Sequence, residues 1–137
     1  MPLSTSGGNQ IVDADGEPVK LGCVNLYGAH MERYVINGLD EVDIDVLAQN
    51  ISSMGFNCVR LVYSLEMYIK NPQVEDKAVS ANPELFGLSA MQVFDKTVEA
   101  LTKAGVMVIL NNHMSDAKWC CSVFDGNGLW HNLRYPT

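Results

Sequence analysis

Two apolar, strand-like runs end in side chains that could do chemistry. Asn57-Cys58-Val59-Arg60-Leu61 carries an arginine, and Val106-Met107-Val108-Ile109-Leu110-Asn111-Asn112 leads directly into His113. Alternation along a strand puts Arg60 on the side of Cys58, and His113 on the side of Asn111, Ile109 and Met107. If those sides face one axis, both groups stand on the same rim of a parallel sheet, the edge where such folds hold their ligands. Arg60 has the rigid donor fork that orients a carboxylate, and His113 can hydrogen-bond a hydroxyl or an acid. The same pair could instead form a buried polar network that closes the top of the sheet.

Asn25 and Asn112 also fall at strand ends, where an amide both donates to and accepts from hydroxyls, or else satisfies loop backbone. Tyr27, Tyr63, Trp119 and Trp130 combine apolar faces with polar edges, the combination that stacks on a pyranose ring. Each has the alternative of packing in the core or in a lid. Hydrolysis of a glycosidic bond with retention uses two carboxyl groups about 5 to 5.5 Å apart, and the acids here form no convincing pair. Glu66 and Asp116 read as solvated acids of upper loops, whereas Asp40, Asp43 and Asp45 belong to a helix start. No catalytic residue is therefore assigned. His30, His113 and His131 lack His-x-x-x-His spacing, no Cys-x-x-Cys occurs, and Gly7-Gly8 and Gly126-Asn127-Gly128 fall short of a phosphate loop. No metal and no cofactor is expected.

The elements that must position these groups can be read from periodicity. Residues 9–12 and 19–21 flank the turn-rich Asp13-Ala14-Asp15-Gly16-Glu17-Pro18 and predict a hairpin. Residues 22–25 predict a first core strand, followed by a long loop over 26–40. Asp40 or Asp43 can cap a helix running to Met54, with Ile44, Leu47, Ala48 and Ile51 as its apolar stripe. Gly55 stops it, and residues 56–61 give the second strand. Residues 62–88 read as a long irregular loop containing the turn dipeptides Asn71-Pro72 and Asn82-Pro83. Ser89 opens a helix striped by Met91, Phe94, Val98 and Leu101, which ends at Lys103-Ala104-Gly105. Residues 106–112 form a third strand whose unbroken apolar run suits a sheet covered on both faces.

The expected class is α/β, a partial (β/α)8 barrel comprising three β/α units preceded by a hairpin, with a complete small doubly wound domain as the alternative. The 137 residues amount to about half of the ~250 that an eight-unit barrel requires. An apolar share of 47% suffices for one core. The formal charge of −7 opposes a polyanion, so no nucleic-acid partner is expected. The apolar runs are far shorter than the roughly 18 to 20 residues that span a bilayer, so no membrane partner is expected. The first residues, Met1-Pro2-Leu3-Ser4-Thr5-Ser6, lack the basic and apolar parts of a signal peptide.

Cys23 and Cys58 fall inside predicted strands and read as buried free thiols. Cys120 and Cys121 lie in a polar loop, either unpaired or awaiting a partner elsewhere. Asn50-Ile51-Ser52 is the one glycosylation sequon, usable only if the chain enters a glycosylating pathway, and otherwise an ordinary polar helical residue.

With these residues in view, the chain resembles the amino-terminal part of glycoside hydrolase family five, the cellulase-like barrels. The likeness runs from Pro2-Leu3-Ser4-Thr5 through Val24-Asn25-Leu26-Tyr27-Gly28, Gly55-Phe56-Asn57-Cys58-Val59-Arg60-Leu61 and Asn71-Pro72. It continues through Ala104 to His113, Trp119-Cys120-Cys121-Ser122 and Asp125-Gly126-Asn127-Gly128-Leu129-Trp130. The resemblance implies that Arg60 supports a catalytic nucleophile and that His113 lines a sugar cleft, with Asn25, Tyr27, Asn112 and Trp130 as substrate-binding candidates. It also implies an acid/base glutamate after the fourth strand and a nucleophile after the seventh, both outside residues 1–137. The chain departs from the family pattern at Leu26, where Trp is common, at Val62, where Pro is common, and at Asn111, where Asp is common.

The resemblance thus implies a fragment or truncated form of an endo-acting hydrolase of β-linked glucan or a related polysaccharide, extracellular and inactive by itself. Residues 1–137 would be incomplete as a catalytic domain. The alternative is a truncated, non-catalytic carbohydrate-binding or protein-interaction protein. The expected partners are a polysaccharide or oligosaccharide, together with the remainder of the barrel or a second copy of the chain.

Overall fold

The computed structural model describes residues 3–6, 8–119, 124, 126, 127, 129 and 131–136. Ser4–Ser6 (β1) and Gln10–Val12 (β2) pair antiparallel. Cys23–Leu26 (β3), Cys58–Ser64 (β4) and Met107–Met114 (β5) form a parallel sheet in the order β3-β4-β5. Helix Ile44–Ser53 (α1) crosses from β3 to β4. Leu65–Lys70 (α2) follows β4 directly, and Ala90–Lys103 (α3) crosses from β4 to β5. These are the βαβ units expected of a barrel segment.

Local chemistry fixes the helix starts. Asp43, not Asp40, caps α1, its Oδ1 accepting from Asp45 N and Val46 N at 2.9 and 3.0 Å. Asp40 instead pairs with Arg33 at 3.1 Å. Ser89 and Gln92 form a reciprocal capping box on α3. Asn82, fully buried, bolts the loop after β4 onto α1: its Oδ1 accepts from Ile44 N at 2.7 Å, and its Nδ2 donates to Leu39 O and Val42 O. The core lies between the helices and one face of the sheet. Val59 and Leu61 of β4 pack with Ala48 and Ile51 of α1 and with Val93, Phe94, Ala100 and Leu101 of α3.

Several expectations are corrected. The hairpin is β1 with β2, one strand earlier than anticipated. The expected second arm reduces to a Val12–Pro18 bridge and the bond from Val19 N to Ile11 O, because Pro18 has no N–H to extend a ladder. The second strand runs three residues further, to Ser64, since Val62 and Tyr63 remain paired with Asn111 and Asn112. The supposedly irregular stretch after it contains α2 and two short 3-10 turns, Asp76–Val79 and Pro83–Leu85. The stripe of α3 is fuller than expected, with Ala90, Val93, Thr97 and Ala100 buried beside Phe94 and Leu101.

The sheet is not covered on both faces. Ile109, level with Arg60 on the face without helices, is 44% exposed, and Leu110, level with Leu61 on the helix face, is 60% exposed at the sheet edge, where among the described residues no strand pairs with the far side of β5.

Cys23 and Cys58 are not free thiols but a disulfide. They are direct register partners on neighbouring strands, which brings the two sulfurs side by side. Cross-links of this kind chiefly restrict the unfolded chain, and for a separation of 35 residues the loop-closure cost is about 4 kcal/mol. Replacing both cysteines by serine is expected to lower the unfolding free energy by about 2 to 4 kcal/mol in a denaturant titration. Reductant should lower the wild-type midpoint and leave that of the double variant unchanged.

Candidate functional site

The C-terminal ends of β3, β4 and β5 open onto a shallow cleft of about 140 Å³ lined by Asn25, Tyr27, His30, Arg60, Val62, His113 and Trp119. Its groups contact one another in series. Arg60 Nη1 donates to Asn25 Oδ1 at 3.5 Å, and Arg60 Nη2 stands 3.4 Å from His113 Nδ1. The His113 ring meets His30 edge to face with centroids 5.3 Å apart, His30 lies 6.4 Å from Trp119, and Trp119 meets Tyr27 edge to face at 6.2 Å. The parallel register accounts for the first link, because Asn25 is the Cα partner of Arg60. The bend after β3 accounts for the others. Gly28 has φ +123°, and a Cβ there would sit 2.5 Å from Asn37 N and 2.6 Å from Val35 O, so only glycine lets this loop fold back closely enough to bury His30.

Proton positions follow from these contacts. A guanidinium only donates, so His113 Nδ1 must accept and its proton sits on Nε2. Gly28 N–H likewise donates to His30 Nδ1 at 3.4 Å. Both imidazoles are therefore neutral, and both pKa values lie below the ordinary 6.5. Burial comes first for each, followed by the charge of Arg60 for His113, and by His113, partly opposed by Glu32, for His30. His30 was not among the site candidates, and Trp119 stood only among the four aromatics able to stack on a pyranose. His30 gave no spacing signal, lying inside a long loop, and Trp119 was one of four aromatics that composition could not rank.

The other candidates separate. Asn25, Tyr27, Arg60 and His113 come together, but Asn112 does not join them. Alternation along β5 puts His113 on the inner side with Ile109 and Asn111, whereas Asn112 lies across from Tyr63 on the opposite face, just before the register shift at Tyr63/Ser64. Asn112 lines a different cavity, of about 450 Å³, with Tyr68, Ile69 and Tyr135. Tyr63 packs edge to face on Phe94 in the core. Trp130, Cys120 and Cys121 lie outside the described residues.

Neither loop acid is solvated as expected. Glu66 is buried in α2, accepting from Tyr34 Oη at 3.1 Å and Ala117 N at 2.8 Å and pairing with Lys70. Burial by itself would raise its pKa, but the bonds from Lys70, Ala117 and Tyr34 outweigh it and hold the carboxyl below its usual range. Asp116 pairs with Arg134 at 2.9 Å. Among the described residues no carboxylate lines the cleft, and no group of three or more His, Cys, Asp or Glu is placed to hold a metal ion.

Comparison with known proteins bears on the family and the fold. A family model described as cellulase (glycosyl hydrolase family 5) matches residues 12–131. A glycosyl hydrolase 5 family protein of Chamaecyparis obtusa is 41% identical over 95% of this chain, which spans 26% of that relative. The major extracellular endoglucanase of Xanthomonas campestris pv. campestris is 28% identical over 96% of the chain, again spanning 26% of the relative. The catalytic domain of the major endoglucanase from that pathovar superposes with a TM-score of 0.77 over 92% of this chain and 35% of that structure. A variant of the endocellulase from Pyrococcus horikoshii, in complex with cellotetraose, superposes at 0.74 with 26% identity, over 92% of this chain and 33% of that one.

Because both native histidine pKa values are depressed, the unfolded chain binds protons first on acidification. The stability these residues contribute is complete above the unfolded value of 6.5 and is lost as pH falls below it. Imidazole titration followed by NMR is expected to give midpoints below 6.5 for His30 and His113, with a lower denaturant midpoint at pH 5.5 than at 7.5. A His113 midpoint at or above 6.5 contradicts the assigned proton.

Proposed function

The chain belongs to glycosyl hydrolase family 5, and from that membership and the cleft geometry we propose that residues 1–137 form the first three β/α units of a β-glucan-hydrolysing barrel. On this reading they supply its sugar-binding rim without its catalytic carboxylates. The observation that carries the proposal is the unbroken series Asn25–Arg60–His113–His30–Trp119–Tyr27 along the ends of three parallel strands. Tyr27 and Trp119, 49% and 63% exposed, offer apolar ring faces to a pyranose. With Nδ1 committed to accepting, His113 keeps its Nε2–H for a hydroxyl oxygen. Arg60 has neutral partners, which leaves its charge available to orient a carboxylate approaching the cleft.

Hydrolysis with retention proceeds through an acid that protonates the leaving oxygen and a nucleophile on the opposite side of the ring. Among the described residues neither role has a candidate in the cleft, so on this reading they bind and orient sugar rather than cleave it. In the parent barrel both glutamates would come from strands after β5, and the partner of this segment is the remainder of that barrel. The endocellulase complex with cellotetraose supports an oligosaccharide ligand, and β-linked glucan is the substrate class we assign. The Cys23–Cys58 disulfide and the extracellular Xanthomonas relative support an oxidising, extracellular setting.

Calorimetric titration of chemically homogeneous residues 1–137 with cellotetraose is expected to show saturable binding with no release of reducing ends. Stacking worth about 1 kcal/mol makes Trp119→Ala roughly five- to tenfold weaker. Turnover by the homogeneous chain overturns the non-catalytic assignment, and a folded chain without affinity overturns the sugar-binding one.

A further inference from the structure

Glu66 is the buried carboxylate among the described residues, and it stands outside the cleft. Its two oxygens are divided between two loops. Oε1 accepts from Tyr34 Oη at 3.1 Å, in the loop after β3, and Oε2 accepts from Ala117 N at 2.8 Å, in the segment after β5. The backbone N–H of Glu66 donates to Ser115 O at 2.9 Å, a second tie to that segment. Tyr34 lies four residues beyond His30, and Ala117 two residues before Trp119. The two loops held by one carboxylate are therefore those that carry the two rings facing each other across the cleft, 6.4 Å apart.

Two features make this more than a surface pairing. Lys70, the ionic partner, is 57% exposed and adds little alone. The Tyr34 and Ala117 bonds, by contrast, are shielded, and removing the acceptor would leave the buried Ala117 without a partner for its N–H. Tyr34 also has φ +58°, in the left-handed region that a tyrosine adopts only when its surroundings hold it there. The hydroxyl bond to Glu66 is one such hold.

We infer that Glu66 is a positioning residue that clamps the loop after β3 to the segment after β5 and so sets the spacing between His30 and Trp119. The inference rests on the reading of this cleft as a sugar site, and it acts through Trp119 rather than through any contact of Glu66 with sugar.

Two measurements on residues 1–137 test it. In hydrogen exchange, Glu66→Ala is expected to speed exchange about tenfold in peptides covering residues 30–34 and 115–119 together, while α1 and α3 keep their protection. In calorimetry with cellotetraose, Glu66→Ala should weaken binding about tenfold, and Glu66→Gln, which keeps one acceptor oxygen, should recover part of the loss. In a Trp119→Ala chain, Glu66→Ala should cost no further affinity. Losses that simply add in the double variant, or loosening confined to one loop, overturn the inference. A wild-type chain that exchanges as expected but binds no cellotetraose overturns the sugar reading instead. The exchange measurement then decides the clamp alone, supported by joint loosening of both loops and removed by anything less. Should Glu66→Ala fail to fold, Glu66→Gln and Tyr34→Phe carry the same comparisons.

Discussion

A parallel ladder is bonded in one register, and the register of β3, β4 and β5 determines everything on the rim. Pairing Asn25 with Arg60 and Arg60 with Ile109 aligns the three strands so that their polar ends reach the same height. A slip of one residue would turn Arg60 into the helix layer, where a guanidinium has no partner and costs several kcal/mol to desolvate. The hydrophobic pattern forbids that slip, because Val59 and Leu61 must both face the helices. The same register sets Cys23 against Cys58 one level below and converts an alignment enforced by hydrogen bonds into a covalent one. Core packing and rim chemistry are therefore two consequences of one choice of pairing.

Within the rim, Arg60 dictates the electrostatics. A permanent cation bonded to neutral acceptors keeps His113 deprotonated at Nδ1, and a second neutral imidazole then packs edge-on against it at 5.3 Å. Among the described residues the cleft thus presents the positive charge of Arg60, imidazole N–H donors and the aromatic faces of Tyr27 and Trp119. Such a surface suits a neutral, hydroxyl-rich ring, and it attracts a carboxylate brought to its edge. A polyphosphate would need more cations than this cleft provides.

The part of the molecule legible in the sequence is the part governed by local pattern. Strand alternation located Arg60 and His113, and cap chemistry located the starts of α1 and α3, because those signals lie within a few residues of their effect. The misreadings share a different cause. Asn112 was assigned to the cleft for lying at a strand end, but a strand end does not say which face the cleft takes, and its pairing with Tyr63 turns it away from His113. The disulfide was hidden because a cysteine in each of two strands says nothing about their relative register. Glu66 read as a loop acid because α2 has only six residues, too few for a helical period to emerge, and the donors that bury it come from segments 32 and 51 residues away. His30 reaches the cleft through the backbone course set at Gly28, which composition does not encode.

The asymmetry of the sheet leaves the rim open on one side only. The helices and their crossovers bury the outward face over β4, with Val59, Leu61, Val93 and Leu101 at 1% exposure or less, and leave it open at the β5 edge, where Leu110 is 60% exposed. The inward face has no such cover, and Asn25 and Ile109 remain exposed upon it. A cleft of about 140 Å³ is less than half of the roughly 300 Å³ at which ligand pockets begin. It can stack one ring and satisfy a few hydroxyls, but it cannot enclose a glycosidic bond. In a closed barrel the opposite wall comes from strands across the axis, the same strands that would bury Ile109. On the proposed reading, completing the hydrophobic interior and completing the catalytic site would be the same structural event, since the strands that would close the ring would also bring carboxylates to face Arg60 and His113.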